Sequence, residues 1–188
     1  VRLSEGSLDY IGLGMAVKLA RAALEESGVA GWLHLAHGSS LELVQRCLDA
    51  GFYSVMIDAS EKPMEENIRV SAHAVRLARS YGANVEAELG YIAKLNQKQL
   101  HSGFTRPEDA LRFTRETGVN ALAVSIGTAH GFYREEPKLD IELLGRIREA
   151  VETPLVLHGS SGVPDHSIVQ AIRNGITKVN LATETKNA

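Results

Sequence analysis

Three times in this chain an apolar run leads to a histidine with a glycine directly after it. The fullest case is Pro154-Leu155-Val156-Leu157-His158-Gly159-Ser160-Ser161-Gly162-Val163-Pro164. Its apolar part is long enough for one buried strand, and its unbroken hydrophobicity predicts a strand covered on both faces, as in a parallel sheet. The same design recurs over Leu33–Ser40, with His37-Gly38, and over Val124–Gly131, with His130-Gly131. The carboxyl ends of parallel strands are where α/β folds gather their chemistry. Three such endings are hard to read as three unrelated core histidines.

The chain between these runs alternates strand and helix patterns. Val1–Ser4 reads as the tail of a strand with Glu5-Gly6-Ser7 as its exit loop, and Leu8–Ser27 as a helix stopped by Gly28. Strands are predicted over Trp32–Ala36, Tyr53–Ile57, Val85–Leu89, Asn120–Ile126, Pro154–Leu157 and Lys178–Leu181. Helices are predicted over Leu41–Ala50, Glu65–Tyr81, Asp140–Val151 and Asp165–Asn174, with another begun by Pro107 in its first turn. No hairpin signal interrupts the series, so the pattern predicts a parallel α/β sheet with right-handed crossovers. A (β/α)8 barrel and an open doubly wound sheet both fit. Functional-looking residues at nearly every strand end, and the lack of a Gly-x-Gly-x-x-Gly fingerprint after any strand, favour the barrel. A whole barrel needs about 250 residues. The expectation is therefore a single barrel domain over 1–188 lacking its first strand and its C-terminal helices.

Composition narrows the partners. A net charge of −3 and an isoelectric point near 6.2 give no reason to expect nucleic acid or an anionic membrane. No apolar run approaches a membrane span. Cys47 is the only cysteine, which excludes an intrachain disulfide and suggests a reducing compartment. On its helical pattern it reads as a small core hydrophobe rather than a reactive thiol.

His37, His130 and His158 each end a strand, and a barrel would bring them to one rim. Three imidazoles with an open position suit a catalytic Zn²⁺, although histidine-rich sites also occur without metal. His34 reads as a hydrogen-bonded interior residue, His73 and His166 as solvated, and His101 cannot be placed. Asp58, Glu86 and Glu88 also lie at strand ends, and buried acids need partners. Glu86 reads as structural. Asp58 and Glu88 are open between support for the histidines and a second, weaker metal position. Two turns could cradle phosphate: Gly159-Ser160-Ser161-Gly162, and Asn180-Leu181-Ala182-Thr183 after the last strand, where barrels often bind it. Beside a metal, they suggest a small phosphorylated substrate with a carbonyl to polarise.

The sequence resembles the class II, metal-dependent ketose-bisphosphate aldolases of the tagatose- and fructose-bisphosphate group. The resembling stretches are Leu33–Gly38, Ser54–Ser60 with Glu65-Glu66-Asn67, Val85–Gly90, Ala123–Gly131, Leu155–Gly159 and Lys178–Glu184. The resemblance implies a (β/α)8 barrel, Zn²⁺ on His37, His130 and His158, and a monovalent cation alongside it. It implies that Gly131, Gly159, Ser160, Ser161, Asn180, Leu181, Ala182 and Thr183 hold the phosphate-bearing half of the substrate. It further implies cleavage of a ketose 1,6-bisphosphate to dihydroxyacetone phosphate and glyceraldehyde 3-phosphate in carbohydrate metabolism, by a cytoplasmic homodimer or homotetramer. Two departures stand out. The family's acid/base aspartate position holds Ala36, which has no proton to move, and Tyr91–Phe104 lacks the family's paired glycines and acids. The expectation is thus an aldolase impaired by Ala36, or else a divergent, non-catalytic phosphosugar-binding relative.

Overall fold

A computed structural model describes residues 1–90, 103–129 and 137–182, which fall into two compact units. The first comprises residues 1–87 and 117–120. It contains β1 (Arg2–Ser4), α1 (Glu5–Ile11), α2 (Leu13–Ser27), β2 (His34–Gly38), α3 (Leu41–Asp49), β3 (Ser54–Ile57), α4 (Met64–Arg79) and most of β4 (Asn84–Leu89). β1 pairs with β2, β2 with β3 and β3 with β4, all parallel and in chain order. Leu35, Val55, Met56, Ile57, Val85 and Ala87 are sealed from water, as unbroken apolar strands require.

The second unit comprises residues 88–116 and 121–188. It holds α5 (Pro107–Thr117, apart from its last residue), β5 (Ala121–Val124), α6 (Ile141–Ala150), β6 (Leu155–Leu157), α7 (Asp165–Arg173) and β7 (Ile176–Val179). β5 pairs with β6 and β6 with β7, again parallel. Among the described residues, seven parallel strands alternating with helices bear out the (β/α)-barrel class. No helix among the described residues is long and apolar enough to cross a membrane.

Several element boundaries differ from the sequence expectation, three of them for a visible physical reason. The exit loop and single helix expected over residues 5–27 are two helices. Ser4 is an N-cap, its Oγ accepting the Ser7 N–H at 3.3 Å, so Glu5 already opens the first turn. Gly12, at φ 79°, then breaks the helix, a conformation open to glycine without a Cβ penalty. β2 runs to Gly38 rather than stopping at Ala36, and Trp32, expected within it, is 60% exposed. β7 begins two residues earlier than expected, because Gly175 at φ 115° turns the chain and buried Ile176 takes up pairing with Leu155 at once.

Two interior expectations agree with the structure. Cys47 is fully buried on α3, and burial pushes its thiol up to about 11, so it packs as a hydrophobe. His34 lies inside, with Nδ1 2.7 Å from Ser54 Oγ and Nε2 4.0 Å from Glu86 Oε2. Burial lowers the pKa of the nearby Arg2 guanidinium, and the Glu86 charge works against that drop. Glu86, Arg2 and His34 therefore form a polar patch at the interior of the first unit, consistent with a structural glutamate.

Candidate active site

Each unit presents a histidine at a strand end with its Nδ1 against a carboxylate. In the first unit that histidine is His37, near the end of β2. It is the one non-glycine residue with positive φ (49°) among the described residues, and the register of β2 against β3 shifts between Leu35 and Gly38. Such an irregularity re-aims a side chain, and a left-handed non-glycine residue persists only where its surroundings hold it. The restraints are visible. The His37 N–H reaches Met56 Sδ at 3.4 Å, the Asp58 N–H donates to Gly38 O at 3.0 Å, and Glu5 accepts from the Ser39 N–H and hydroxyl at 3.3 and 2.9 Å. The imidazole leaves the strand alternation and meets Asp58, with Nδ1 2.6 Å from Oδ2.

Asp58 is held from its other side as well. Its Oδ1 accepts from the Ser60 N–H at 3.2 Å and the Ser60 hydroxyl at 2.8 Å. Burial alone would raise its pKa, but the hydrogen bonds from His37 and Ser60, with the His37 charge, outweigh that and bring it to about 2. Asp58 is therefore ionised at neutral pH, accepts only, and fixes the proton of His37 on Nδ1. A proton fixed on Nδ1 makes Nε2 the nitrogen of His37 able to act as a metal ligand.

A pH dependence follows. The folded carboxyl titrates at about 2 against 3.8 unperturbed, so its stabilisation is complete above 3.8 and disappears as pH falls from 3.8 to 2. The side chain is 23% exposed and partly screened, so the loss is at most about 2 kcal/mol. Urea unfolding of the metal-free protein across this range should show that decline, and Asp58→Asn should flatten it. An unchanged acid slope in the variant would remove Asp58 as its source.

The second unit also sets a histidine close to a carboxylate, with deeper burial. His158 follows β6 directly and is sealed from solvent, with Nδ1 3.1 Å from Oε2 of Glu88 on β4. Thr105 fastens the neighbouring strand ends. Its hydroxyl donates to Leu89 O at 2.5 Å and accepts the Ser125 N–H at 2.8 Å. Beyond His158, Gly159 turns at φ 64°, and a Cβ there would lie 2.4 Å from Ala129 O.

The two turns expected to cradle phosphate meet, since the Ala182 N–H donates to Ser161 Oγ at 3.2 Å. Ser160 turns its hydroxyl back to Leu157 O at 3.2 Å, and the Asn180 N–H joins the same carbonyl at 3.0 Å. Asn180 is buried and its Nδ2 has no hydrogen-bond partner, whereas Leu181 is half exposed. Ala36 is buried beside Ser4 across the β1–β2 pair. His130, Gly131 and Thr183, together with His101, lie outside the described residues. His73 and His166 are exposed.

Sequence reasoning placed His37, Asp58, Glu88 and His158 at strand ends but could not pair them. It did not single out Thr105, a lone threonine in a polar stretch whose two-strand role has no local signature. It also passed over Thr128, which is 5% exposed with no hydrogen-bond partner for Oγ1. A small polar residue two positions before a strand-end histidine was the signal available for it.

A family model described as fructose-bisphosphate aldolase class-II matches residues 1–188. The D-tagatose-1,6-bisphosphate aldolase subunit GatY of Klebsiella oxytoca is 43% identical over 187 residues, covering 97% of this chain and 66% of that protein. The crystal structure of the YdjI aldolase from Escherichia coli K12 superposes with a TM-score of 0.87 at 37% identity, over 99% of this chain and 66% of that one. The fructose-bisphosphate aldolase (Fba) structure from Campylobacter jejuni, with a TM-score of 0.79 at 23% identity over 100% and 65%, bears on the fold alone. The chain thus spans about two thirds of the length of the relatives it matches.

Proposed function

The chain belongs to the class II fructose-bisphosphate aldolase family, and on that premise we propose that it acts on a ketose 1,6-bisphosphate, fructose or tagatose, through a Zn²⁺ held by His37, His130 and His158. The observation that carries this reading is the paired histidine–carboxylate arrangement. His37 with Asp58, and His158 with Glu88, each present Nδ1 to an acid, the usual way a metal-binding imidazole is oriented and made more basic. Zinc at such a site would polarise the substrate ketone and stabilise the negative charge that develops there as the carbon–carbon bond breaks. In this reading Asp58 and Glu88 hold the two ligands in their metal-ready tautomers rather than forming a second metal position.

The residues around them divide the remaining work. Gly159 keeps its turn free of a side chain, and Gly131, Ser160, Ser161, Asn180, Leu181, Ala182 and Thr183 would together serve as the wall for the phosphate of the dihydroxyacetone phosphate half. Ser161 ties the two halves of that wall together through Ala182. Ala36 stands where the family carries its acid/base aspartate. The proton of the C4 hydroxyl must then leave to water, and cleavage is slow. A place in carbohydrate breakdown, glycolysis included, a cytoplasmic setting, a homodimeric or homotetrameric assembly and an accompanying monovalent cation complete the proposal.

Ala36 also favours a second reading, a phosphosugar-binding relative that keeps the cradle and does no chemistry. One experiment addresses both. The protein should bind one zinc per chain by elemental analysis and should release dihydroxyacetone phosphate slowly from a ketose 1,6-bisphosphate. Chelation should abolish that release, and zinc should restore it. Absence of stoichiometric metal would defeat the zinc proposal, whereas metal and ligand binding without any release would establish the binding-only reading.

A further inference from the structure

Two buried side-chain atoms in the second unit, Asn180 Nδ2 and Thr128 Oγ1, have no hydrogen-bond partner. Asn180 is 6% exposed and Thr128 5%, so water does not freely serve them. An unserved polar atom in a folded interior is costly and calls for an explanation. Both residues lie at the same end of the sheet. Asn180 directly follows β7, and Thr128 belongs to the segment after β5. Between these strands lies β6, paired with both, whose end carries His158 and Gly159. The close approach of the Gly159 Cβ position to Ala129 O seats the Thr128 segment directly against that turn.

The chemistry of the two atoms is complementary to one kind of occupant. An amide nitrogen only donates, and a threonine hydroxyl can donate, so together they call for a group rich in acceptors. A phosphate ester has such oxygens, and the Gly159 turn packs directly against the segment that carries Thr128. Asn180 already belongs to the phosphate wall of the proposed function. We propose that Thr128 is a further substrate-binding residue, its hydroxyl donating to a phosphate oxygen of the ketose phosphate alongside Asn180. The inference rests on the phosphosugar reading above.

The test is Thr128→Val, which keeps the shape and removes the hydroxyl, with Thr128→Ser as the conservative rescue. Zinc-loaded protein is titrated calorimetrically with dihydroxyacetone phosphate and, separately, with inorganic phosphate. Thr128→Val should melt no lower than the parent without ligand and should bind both ligands about 10- to 100-fold more weakly. Thr128→Ser should restore binding. A side chain that merely fills space predicts equal affinity in the valine variant, and that result overturns the proposal. Should the valine variant not fold, Thr128→Ala against Thr128→Ser gives the same comparison, and equal binding by those two overturns it as well. If the parent binds neither ligand, the phosphosugar reading itself falls and takes this inference with it.

Discussion

Replacing Ala36 with aspartate is expected to raise the rate of metal-dependent ketose-bisphosphate cleavage by about 10²- to 10⁴-fold, the usual contribution of a positioned acid/base group. Ala36 precedes His37 on β2, pairs across to Ser4 and is 1% exposed, so a carboxylate introduced there would be held by the strand rather than swinging in solvent. The effect should fall on turnover. Affinity for dihydroxyacetone phosphate, which the residues after β6 and β7 are proposed to hold, should be nearly unchanged. Ala36→Asn supplies the control, since it has similar bulk and no titrating proton, and should leave the parental rate. A zinc-loaded Ala36→Asp protein that binds substrate yet is no faster than the parent would mean that more than one group had been lost, and the binding-only reading would prevail.

The largest structural effect is expected from Gly159→Ala. The residue sits at φ 64°, where a Cβ costs about 1–2 kcal/mol. The added carbon would also lie 2.4 Å from the oxygen and 2.7 Å from the carbon of the Ala129 carbonyl. That neighbour is backbone, so it cannot rotate away, and forced repacking adds about 1–3 kcal/mol. The variant should therefore lose roughly 2–5 kcal/mol, read as a lower urea midpoint, and should bind zinc more weakly because Ala129 leads straight into His130. Gly145→Ala is the matched comparison. It lies within α6 with nothing within 4 Å of its Cβ position, and should gain about 0.5–1 kcal/mol. Equal effects at the two glycines would show that the contact between Gly159 and Ala129 is not what requires glycine.

Particular elements show how far the sequence could be read. The alternation of strands and helices was legible because continuous apolar runs and 3.6-residue periodicity are local signals. Glycines after helices marked most stops, as Gly51 does after α3. Gly12 carries no sequence signal of a break because the apolar spacing continues across it, and only its backbone angle divides the helix. The start of β7 is hidden for a similar reason. Ile176 looks like part of a turn after Gly175, and its burial against its pairing partner makes it a strand residue.

The order of residues alone determined that histidines and acids would stand at the carboxyl ends of buried parallel strands, since strand direction and two-sided burial are written in the apolar runs. Which acid serves which histidine was decided only in three dimensions: strand neighbours bring Asp58 to His37, and the fold of the second unit brings Glu88 to His158. The left-handed turn at His37 and the unpartnered hydroxyl of Thr128 likewise belong to the tertiary structure. Strain and hydrogen-bond satisfaction depend on atoms contributed by distant segments, and no local window of sequence contains them.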